Sequence, residues 1–178
     1  MEIIGARYMD NIKVIDSLLP TSHADDIHDM VLKSYYQISW EDNNELKTRQ
    51  FPNLHSRFSF DDVKRTKILE PILRTNNSLK LDQYSSCVVN LTKPMDINFI
   101  HTHTKQKVFL YYVNPTWEND WGGETIFYEQ DKKSVLFTSL YMPNRLVCFD
   151  GEIPHTIKAQ NYLGPSYRFT MSIFFNTK

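Results

Sequence analysis

The stretch Ile97–Thr125, INFIHTHTKQKVFLYYVNPTWENDWGGET, predicts a β-scaffold that carries a metal site. A short apolar run leads into His101 and His103, and an aromatic strand pattern with a Gly-Gly turn follows. In an extended strand, residues i and i+2 point to the same face, about 7 Å apart at ~3.3 Å per residue. Two imidazoles placed in this way can bind one metal ion, and His155, 52 residues after His103, is the candidate third ligand.

These three histidines do not select the metal by themselves. Imidazole suits iron, zinc, copper and nickel alike. An HxH pair is also compatible with ordinary packed or surface histidines, so the sequence around it has to decide whether it is a metal motif. A further histidine, His55, lies near Arg57 in a polar stretch before the β-rich region, and we expect both to be surface residues.

Composition indicates one folded domain spanning residues 1–178. Hydrophobic residues make up 41% of the chain and charged residues 23%, which is typical of globular proteins. The formal net charge is −1 and no basic cluster indicates a nucleic-acid or membrane partner. No segment is long and apolar enough to be a signal peptide or a membrane span, so we expect a cytoplasmic protein. Cys87 and Cys148 lie in apolar runs and are expected to be buried free thiols.

The first part of the chain, residues 1–83, reads as a helical lead-in with helices that cover a sheet. A short strand is predicted over 12–15, and a helix capped by Ser22 is predicted to run to about Tyr35. Residues 41–50 are polar and loop-like, and a second helix is predicted over 67–75.

Residues 84–176 predict the β-core. Short β-rich runs with close spacing alternate with turn signals such as Gly122-Gly123 and Asp150-Gly151. This pattern favours a jelly-roll or barrel-like sandwich over a parallel α/β sheet. The predicted strand sequences are SSCVVNL, INFI, KVFLYYV, ETIFY, SVLFTS, RLVCFD and YRFTMSIFF.

Two long segments resemble a known family. YYVNPTWENDWGGETIFY and NRLVCFDGEIPHTIKAQNYLGPSYRFTMSIFF resemble the prolyl-hydroxylase-like branch of the Fe(II)/2-oxoglutarate-dependent oxygenases, and the likeness covers roughly Tyr84 to Phe175. The resemblance implies a mostly β fold, a double-stranded β-helix (a cupin-like jelly roll), with N-terminal helices packed on the major sheet. Small proteins of this kind are common in phages. If this chain is viral, the expected location is the cytoplasm of the host.

The resemblance also implies roles for individual residues. His101 matches the first metal histidine of the family and His155 the second. Arg168 matches the cation that pairs with the distal carboxylate of 2-oxoglutarate, a task suited to a guanidinium fork. Tyr112 matches a strand tyrosine whose hydroxyl reaches the same carboxylate, and Thr170, on the same strand face as Arg168, can add a second hydroxyl.

Two features depart from the family pattern. The family has an acidic residue where this chain has His103, so the predicted metal set is His101, His103 and His155. Three imidazoles leave the full +2 charge on the metal and raise its potential. Glu124 and Asp150 are candidate replacements for the acid, but we expect both to serve in turns. The segment from His155 to Arg168 is also longer than is usual in the family.

As a member of this family the chain would bind Fe(II), 2-oxoglutarate and O2. It would hydroxylate a substrate C–H bond while 2-oxoglutarate is decarboxylated to succinate, with a peptidyl proline as the first substrate to test and other peptides or small molecules open. One alternative is a three-histidine metal enzyme that does not use 2-oxoglutarate, either a zinc hydrolase or a cofactor-independent dioxygenase. Another is a non-catalytic jelly-roll binding module.

Substrate choice on such scaffolds is made by loops, and two segments are the candidates here. These are Glu41–Phe60 and Pro115–Trp121. Trp117 and Trp121 flank the Gly-Gly turn; they can line a substrate entrance, but packing against the sandwich is the favoured interpretation.

Overall fold

The computed structural model describes residues 7–9, 11–39 and 44–177 of the chain. These residues form strands, α-helices and two single 3-10 turns, at Leu81–Gln83 and Asn119–Trp121. The strands are β1 Arg7–Met9, β2 Ile12–Ile15, β3 Gln37–Ser39, β4 Asn53–Phe58, β5 Tyr84–Thr92, β6 Gln106–Tyr112, β7 Thr125–Tyr128, β8 Val135–Ser139, β9 Leu146–Asp150, β10 His155–Ile157 and β11 Arg168–Asn176. The helices are α1 Thr21–Leu32, α2 Asn44–Thr48, α3 Phe60–Arg65 and α4 Leu69–Thr75.

Two antiparallel sheets form a sandwich. The large sheet has eight strands in the order β1-β2-β9-β6-β11-β5-β4-β3, and the small sheet has three in the order β10-β7-β8. One apolar cluster is built from both sheets, so their inner faces pack against each other. The predicted jelly roll is therefore confirmed, and four strands from the first third of the chain, β1 to β4, widen its larger sheet.

The central strands bury both of their faces. Along β6, Phe109 and Tyr111 belong to the cluster beneath the helices, whereas Leu110 and Tyr112 belong to the cluster between the sheets. This alternation follows from the two-residue period of a strand. Every second residue of β6 and β11 therefore points into the interior of the sandwich.

Strand register decides which polar residues share that inner face. Thr170 of β11 pairs with Asn90 of β5 on one side and with Tyr112 of β6 on the other. Arg168, two residues earlier, pairs with Thr92. Because directly opposed residues point to the same side of a sheet, these five side chains share the inner face.

The helices cover the outer face of the large sheet, as predicted. Ile27 and Val31 of α1, Val63 of α3 and Ile72 of α4 have no exposed surface and join the outer cluster with the strands. Burial of these apolar side chains is what holds such short helices in place, because isolated helices of this length are marginal in water.

The predicted bounds of helix α1 were wrong at both ends. The helix begins at Thr21 directly after Pro20, and no side chain caps it, so Ser22 is not the cap. It ends at Leu32 rather than near Tyr35. The Ser34 hydroxyl donates to Met30 O at 2.8 Å, and this local bond satisfies a terminal carbonyl as the chain leaves the helix.

Several short elements also differ from the predictions. No strand forms over 97–100, and only an isolated bridge pairs His101 with the short strand β10, which was not predicted. Helix α2 forms within the predicted loop 41–50, whose residues 41–43 lie outside the described residues. Helix α4 begins two residues after the predicted start because Lys67 has a φ of 58°.

The thiols of Cys87 and Cys148 are free and buried, as predicted. Burial raises the pKa of the Cys148 thiol to about 11, so this thiol stays protonated near neutral pH. Within the described ranges, none of the helices has the length and apolar character needed to cross a membrane.

Candidate metal and cofactor site

The structure brings His101, His103 and His155 together. One potential ligand atom from each lies within 4.8 Å of the others. His101 and His155 are joined by two backbone hydrogen bonds of 3.0 Å, and their ring centroids are 4.4 Å apart. The His103 ring lies 4.9 Å from that of His101 and 5.1 Å from that of His155. A full strand was predicted to hold these histidines close together, and the isolated bridge between His101 and His155 holds them instead.

Backbone carbonyls orient two of the three imidazoles. His101 Nδ1 donates to Phe99 O at 3.0 Å, and His155 Nδ1 donates to Ile153 O at 2.8 Å. With the proton on Nδ1, the Nε2 lone pair of each ring is left unprotonated and could bind a metal. Burial, followed by the nearby His101 and His103, holds the pKa of His155 well below its usual range, so this imidazole is neutral near neutral pH.

His103 is positioned by the turn after β9. Its backbone N–H donates to Gly151 O at 2.7 Å, and its ring packs edge-on against Phe174 at 4.9 Å. A side chain at position 151 has no room, because a Cβ there would lie 2.3 Å from His103 O. Gly151 is therefore required for the close approach that places His103 beside the other two histidines.

No acidic residue joins the three histidines within the described part of the chain. Asp150 Oδ1 accepts the backbone N–H of Glu152 at 3.1 Å, which supports its predicted role in a turn. Glu124 lies on the side of Arg168, where its charge favours the protonated guanidinium. Neither of the two candidate replacements for the family's acid is placed at the histidines.

Arg168 is a buried cation at the start of β11. Its side chain has no exposed surface, and its guanidinium carbon lies 4.7 Å from the ring centre of Tyr141 and 5.7 Å from that of Tyr112. Nε and Nη2 donate to Gly123 O at 3.1 and 2.8 Å, whereas Nη1 is buried without a hydrogen-bond partner. Burial lowers the pKa of Arg168, but an arginine stays charged in proteins.

The two residues predicted to supply hydroxyls to the same ligand, Tyr112 and Thr170, share the inner sheet face with Arg168. Thr170 Oγ1 is buried and has no hydrogen-bond partner. The Tyr112 hydroxyl lies 2.9 Å from Thr125 Oγ1, and burial raises the pKa of Tyr112, which is therefore a neutral phenol. Arg168 and Thr170 thus present buried polar atoms without partners on one strand face, an arrangement that is costly unless a ligand satisfies them.

A cavity reaches from the histidines along the inner face of the large sheet. Its lining combines the three imidazoles with carboxamides, hydroxyls and an apolar wall. Sequence reasoning missed the polar residues of this lining because they belong to no recognisable motif. The missed residues are Asn53, Asn90, Thr92, Asn98 and Ser172.

The structure also shows how deeply three residues outside the predicted ligand set are buried. His55, expected at the surface, has no exposed area and lies with its Nε2 3.1 Å from Gln37 Nε2, whereas Arg57 is exposed as predicted. The alternation of β4 does not indicate the burial of His55, because Arg57 lies on the same strand face and is exposed. His55 pairs with Asn90 of β5, a contact between distant segments that the sequence does not mark. Trp117 packs against the inner cluster, in agreement with the packing interpretation.

Comparison with known proteins gives no match by sequence. No protein-family model matches the chain, and no curated protein matches it.

Solved structures do match. A prolyl hydroxylase from Trichoplax adhaerens, in complex with a peptide fragment of the hypoxia inducible factor oxygen degradation domain, is 18% identical, with a TM-score of 0.67 over 94% of this chain and 84% of that one. HygX from Streptomyces hygroscopicus, with nickel and 2-oxoglutarate bound, is 6% identical, with a TM-score of 0.66 over 94% and 83%. The viral collagen prolyl hydroxylase vCPH from Paramecium Bursaria Chlorella virus-1 is 13% identical, with a TM-score of 0.61 over 99% and 100%.

These structural similarities extend over nearly the whole chain, although the sequence identities are low. They bear out the fold inferred from the motifs around the histidines and the arginine. The chain therefore has the double-stranded β-helix fold of the prolyl hydroxylases and 2-oxoglutarate/Fe(II) oxygenases to which it is similar.

Proposed function

We propose that the chain is an Fe(II)- and 2-oxoglutarate-dependent oxygenase that hydroxylates a substrate C–H bond. The observation that carries the proposal is the pairing of two features inside one sandwich. These are a three-histidine group and a fully buried Arg168 whose Nη1 has no partner. A metal fits the first feature and a carboxylate fits the second, and 2-oxoglutarate is a ligand that can contact both.

The donor set fits Fe(II). Neutral imidazole nitrogens are good ligands for iron, and the carbonyl bonds to Nδ1 of His101 and His155 leave Nε2 of each ring for the metal. His103 would supply the third nitrogen. Three protein ligands leave open positions for the keto acid end of 2-oxoglutarate and for O2.

The cation fits the distal carboxylate of 2-oxoglutarate. Arg168 makes no salt bridge within the described residues, so its charge is available to a ligand. Nη1 and Thr170 Oγ1 would each donate to the carboxylate, which would satisfy two buried polar atoms at once. HygX, a structural neighbour that binds 2-oxoglutarate, supports this cofactor.

When bound, iron and 2-oxoglutarate supply the oxidising chemistry: one atom of O2 enters the substrate C–H bond, the other enters succinate, and CO2 leaves. The protein's residues bind, orient and exclude water. Val108, Leu110 and Phe149 form the apolar wall of the cavity beside the histidines. This wall would keep bulk water away from the reacting atoms.

A prolyl residue in a peptide is the substrate class to test first. The structural neighbour from Trichoplax adhaerens binds a peptide fragment, and vCPH is a collagen prolyl hydroxylase. A binding cleft for such a peptide would open beside the carboxamides of Asn53 and Asn98, which line the same cavity as the histidines.

A second candidate function is a metal-dependent enzyme without 2-oxoglutarate. The observation that favours it is the absence of a carboxylate from the metal group within the described residues, since three histidines also form catalytic zinc sites. Such an enzyme has no use for the buried charge of Arg168, so 2-oxoglutarate binding discriminates the two candidates.

The deciding experiment is an anaerobic titration of the Fe(II)-loaded protein with 2-oxoglutarate, followed by the visible charge-transfer band of the chelate. We expect a band in the wild type that is lost in His155→Ala and weakened in Arg168→Met. His23→Ala, which removes a histidine of helix α1 outside the site, is the matched control and should keep the band. Tight iron binding without a band would overturn the cofactor assignment in favour of the second candidate.

A further inference from the structure

One backbone atom holds the buried guanidinium. Within the described residues, the Arg168 side chain donates two hydrogen bonds, both to Gly123 O, from Nε at 3.1 Å and from Nη2 at 2.8 Å. This edge of the guanidinium is therefore occupied by the protein. Nη1 is the nitrogen left for a ligand, and it has no partner in the structure.

The carbonyl reaches Arg168 only because two glycines form the turn before β7. Gly122 and Gly123 have φ values of 75° and 84°, in the left-handed region that favours glycine. A Cβ on Gly123 would lie 2.7 Å from Trp117 Cζ2, 3.1 Å from Arg168 Nε and 3.3 Å from Arg168 Cδ. A Cβ on Gly122 would meet its nearest atom at 3.5 Å, which is ordinary contact.

Aromatic rings hold the turn and the guanidinium in one stack. Trp117 Nε1 donates to Gly122 O at 2.8 Å, and the Trp117 ring lies 4.1 Å from that of Tyr141. Tyr141 in turn lies against the guanidinium and stacks on Tyr112 at 4.4 Å. The turn, the stack and Arg168 therefore form one unit with little freedom to rearrange.

We propose that Gly123 is a positioning residue for the cofactor. Its carbonyl fixes two N–H groups of Arg168, and its missing side chain leaves the room that this requires, so that Nη1 is presented to the distal carboxylate. This inference rests on the proposed function, because it assigns Arg168 to 2-oxoglutarate. It predicts that a methyl group at position 123 disturbs recognition of that carboxylate without disturbing the metal.

The test compares two keto acids that share the metal-binding end. 2-Oxoglutarate carries the distal carboxylate and 2-oxobutyrate lacks it, so the ratio of their Kd values reports on recognition of that carboxylate, to which Arg168 supplies the charge. Both are titrated anaerobically into the Fe(II)-loaded protein. For Gly123→Ala we expect the Kd of 2-oxoglutarate to rise about tenfold or more, as for a weakened charge-assisted hydrogen bond, with the Kd of 2-oxobutyrate and of Fe(II) nearly unchanged.

Gly122→Ala is the matched control, since it places the same residue at a similar positive φ without touching Arg168. It should keep the wild-type ratio. The double variant Gly123→Ala/Trp117→Leu removes the 2.7 Å contact and keeps the 3.1 Å contact. This double variant relieves the clash that could make Gly123→Ala misfold, and it should retain the altered ratio of the two Kd values.

The outcomes separate the inference from the function on which it rests. An unchanged ratio in both variants that carry Gly123→Ala would overturn the positioning role. An equal loss of affinity for both keto acids would also overturn it, because a purely structural role predicts that result. Failure of the wild type to bind 2-oxoglutarate would instead overturn the proposed function itself.

Discussion

Arg168 places a full positive charge in the interior of the sandwich. A carbonyl, two aromatic rings and the charge of Glu124, which makes no salt bridge with it in the described part of the chain, offset only part of the cost of removing this guanidinium from water. A residue that is needed for stability alone would not be expected in such surroundings. The apo protein therefore carries a local energetic cost that a bound carboxylate can relieve.

Replacing this charge by an apolar side chain of similar length should not destabilise the apo protein. For Arg168→Met we expect the free energy of unfolding to stay constant or to rise by about 1–4 kcal/mol, as when a poorly compensated buried charge is removed. Urea unfolding without metal or cofactor measures this. A loss of more than ~2 kcal/mol would contradict the interpretation, since it is the size expected for a structural ion pair.

The other buried arginine provides the contrast. Arg145 donates to both carboxylate oxygens of Asp16, at 2.5 and 2.9 Å, and to Leu140 O. Arg145→Met should lower the free energy of unfolding by about 2 kcal/mol, less than for a fully buried pair, because Asp16 keeps part of its exposure. The same substitution should thus lower the free energy of unfolding at Arg145 and leave it constant or raise it at Arg168.

Gly151 should be essential for metal affinity although it offers no ligand. In Gly151→Ala the new Cβ meets His103 O and Gln106 O, both backbone atoms, so the segment carrying His103 must move. We expect the Kd for Fe(II) or Zn(II) to rise ~10-fold or more, together with a stability loss of about 1–3 kcal/mol.

Gly164→Ala is the control for this substitution, because its Cβ would meet only side-chain atoms of Trp121 and Gln160 at 3.1–3.4 Å. Isothermal titration with metal and urea unfolding measure both effects. Unchanged metal affinity in Gly151→Ala would show that His103 is not held by this turn.

Single residues of the site were predictable where a motif or a family resemblance marks them. The pair His101 and His103 was predicted from its spacing, and Arg168 from the resemblance to a known family. Asn53 and Asn98 have no such mark, because an asparagine in a strand or loop is ordinary in isolation. Their place in the cavity depends on pairings between distant strands, which one sequence does not specify.

At the scale of elements, helix α3 begins with a reciprocal cap. The Ser59 hydroxyl donates to the Asp62 carboxylate at 2.6 Å, the Ser59 N–H donates to the same oxygen at 2.9 Å, and the Asp62 N–H donates to Ser59 Oγ at 3.1 Å. The hydroxyl of Ser59 is the main reason why the pKa of Asp62 lies below its usual range.

Ser59→Ala should therefore lower stability in a pH-dependent way. A carboxyl with a lowered folded pKa contributes stability above its ordinary pKa and loses it as the pH falls through the folded value. We expect a loss of about 1 kcal/mol at pH 7 and a smaller loss near pH 2 to 3. Urea unfolding at both pH values measures this, and Ser59→Thr, which keeps the hydroxyl, should behave as wild type. Equal losses at both pH values would exclude the carboxylate contribution.

Elements were predictable in proportion to their length and pattern. Strands β5, β6 and β11 have long apolar runs and were predicted to within two residues at each end. Strand β10 and helix α2 have 3 and 5 residues, too few for a periodic signal, and they depend on tertiary contacts. Leu46 of α2, for example, is 1% exposed and lines the cavity beside residues of distant strands.

At the scale of the whole molecule, a bound metal would tie distant parts of the chain together. His101 and His103 precede β6, whereas His155 begins β10 of the small sheet. A ligand that binds only the folded state stabilises it by about 2.7 kcal/mol at 100 times its Kd. We expect Zn(II) or Fe(II) to raise Tm by roughly 5–10 °C.

Differential scanning fluorimetry with and without metal, followed by EDTA, measures this stabilisation. His155→Ala should abolish the shift, and His23→Ala should leave it intact. A shift of equal size in His155→Ala would place the metal elsewhere on the protein.

The pairing of β11 with neighbours on both sides has a consequence for how the chain can vary. A slip of one residue would turn Arg168 outward under the helices and turn Phe169 inward, and two ladders would have to break together to allow it. The position of the arginine is therefore set by β5 and β6 and does not depend on the connection that leads into it. The segment between His155 and Arg168 can gain or lose residues while the register of Arg168 stays fixed, and this independence explains how an extended loop is compatible with a fixed position of the arginine inside the sandwich.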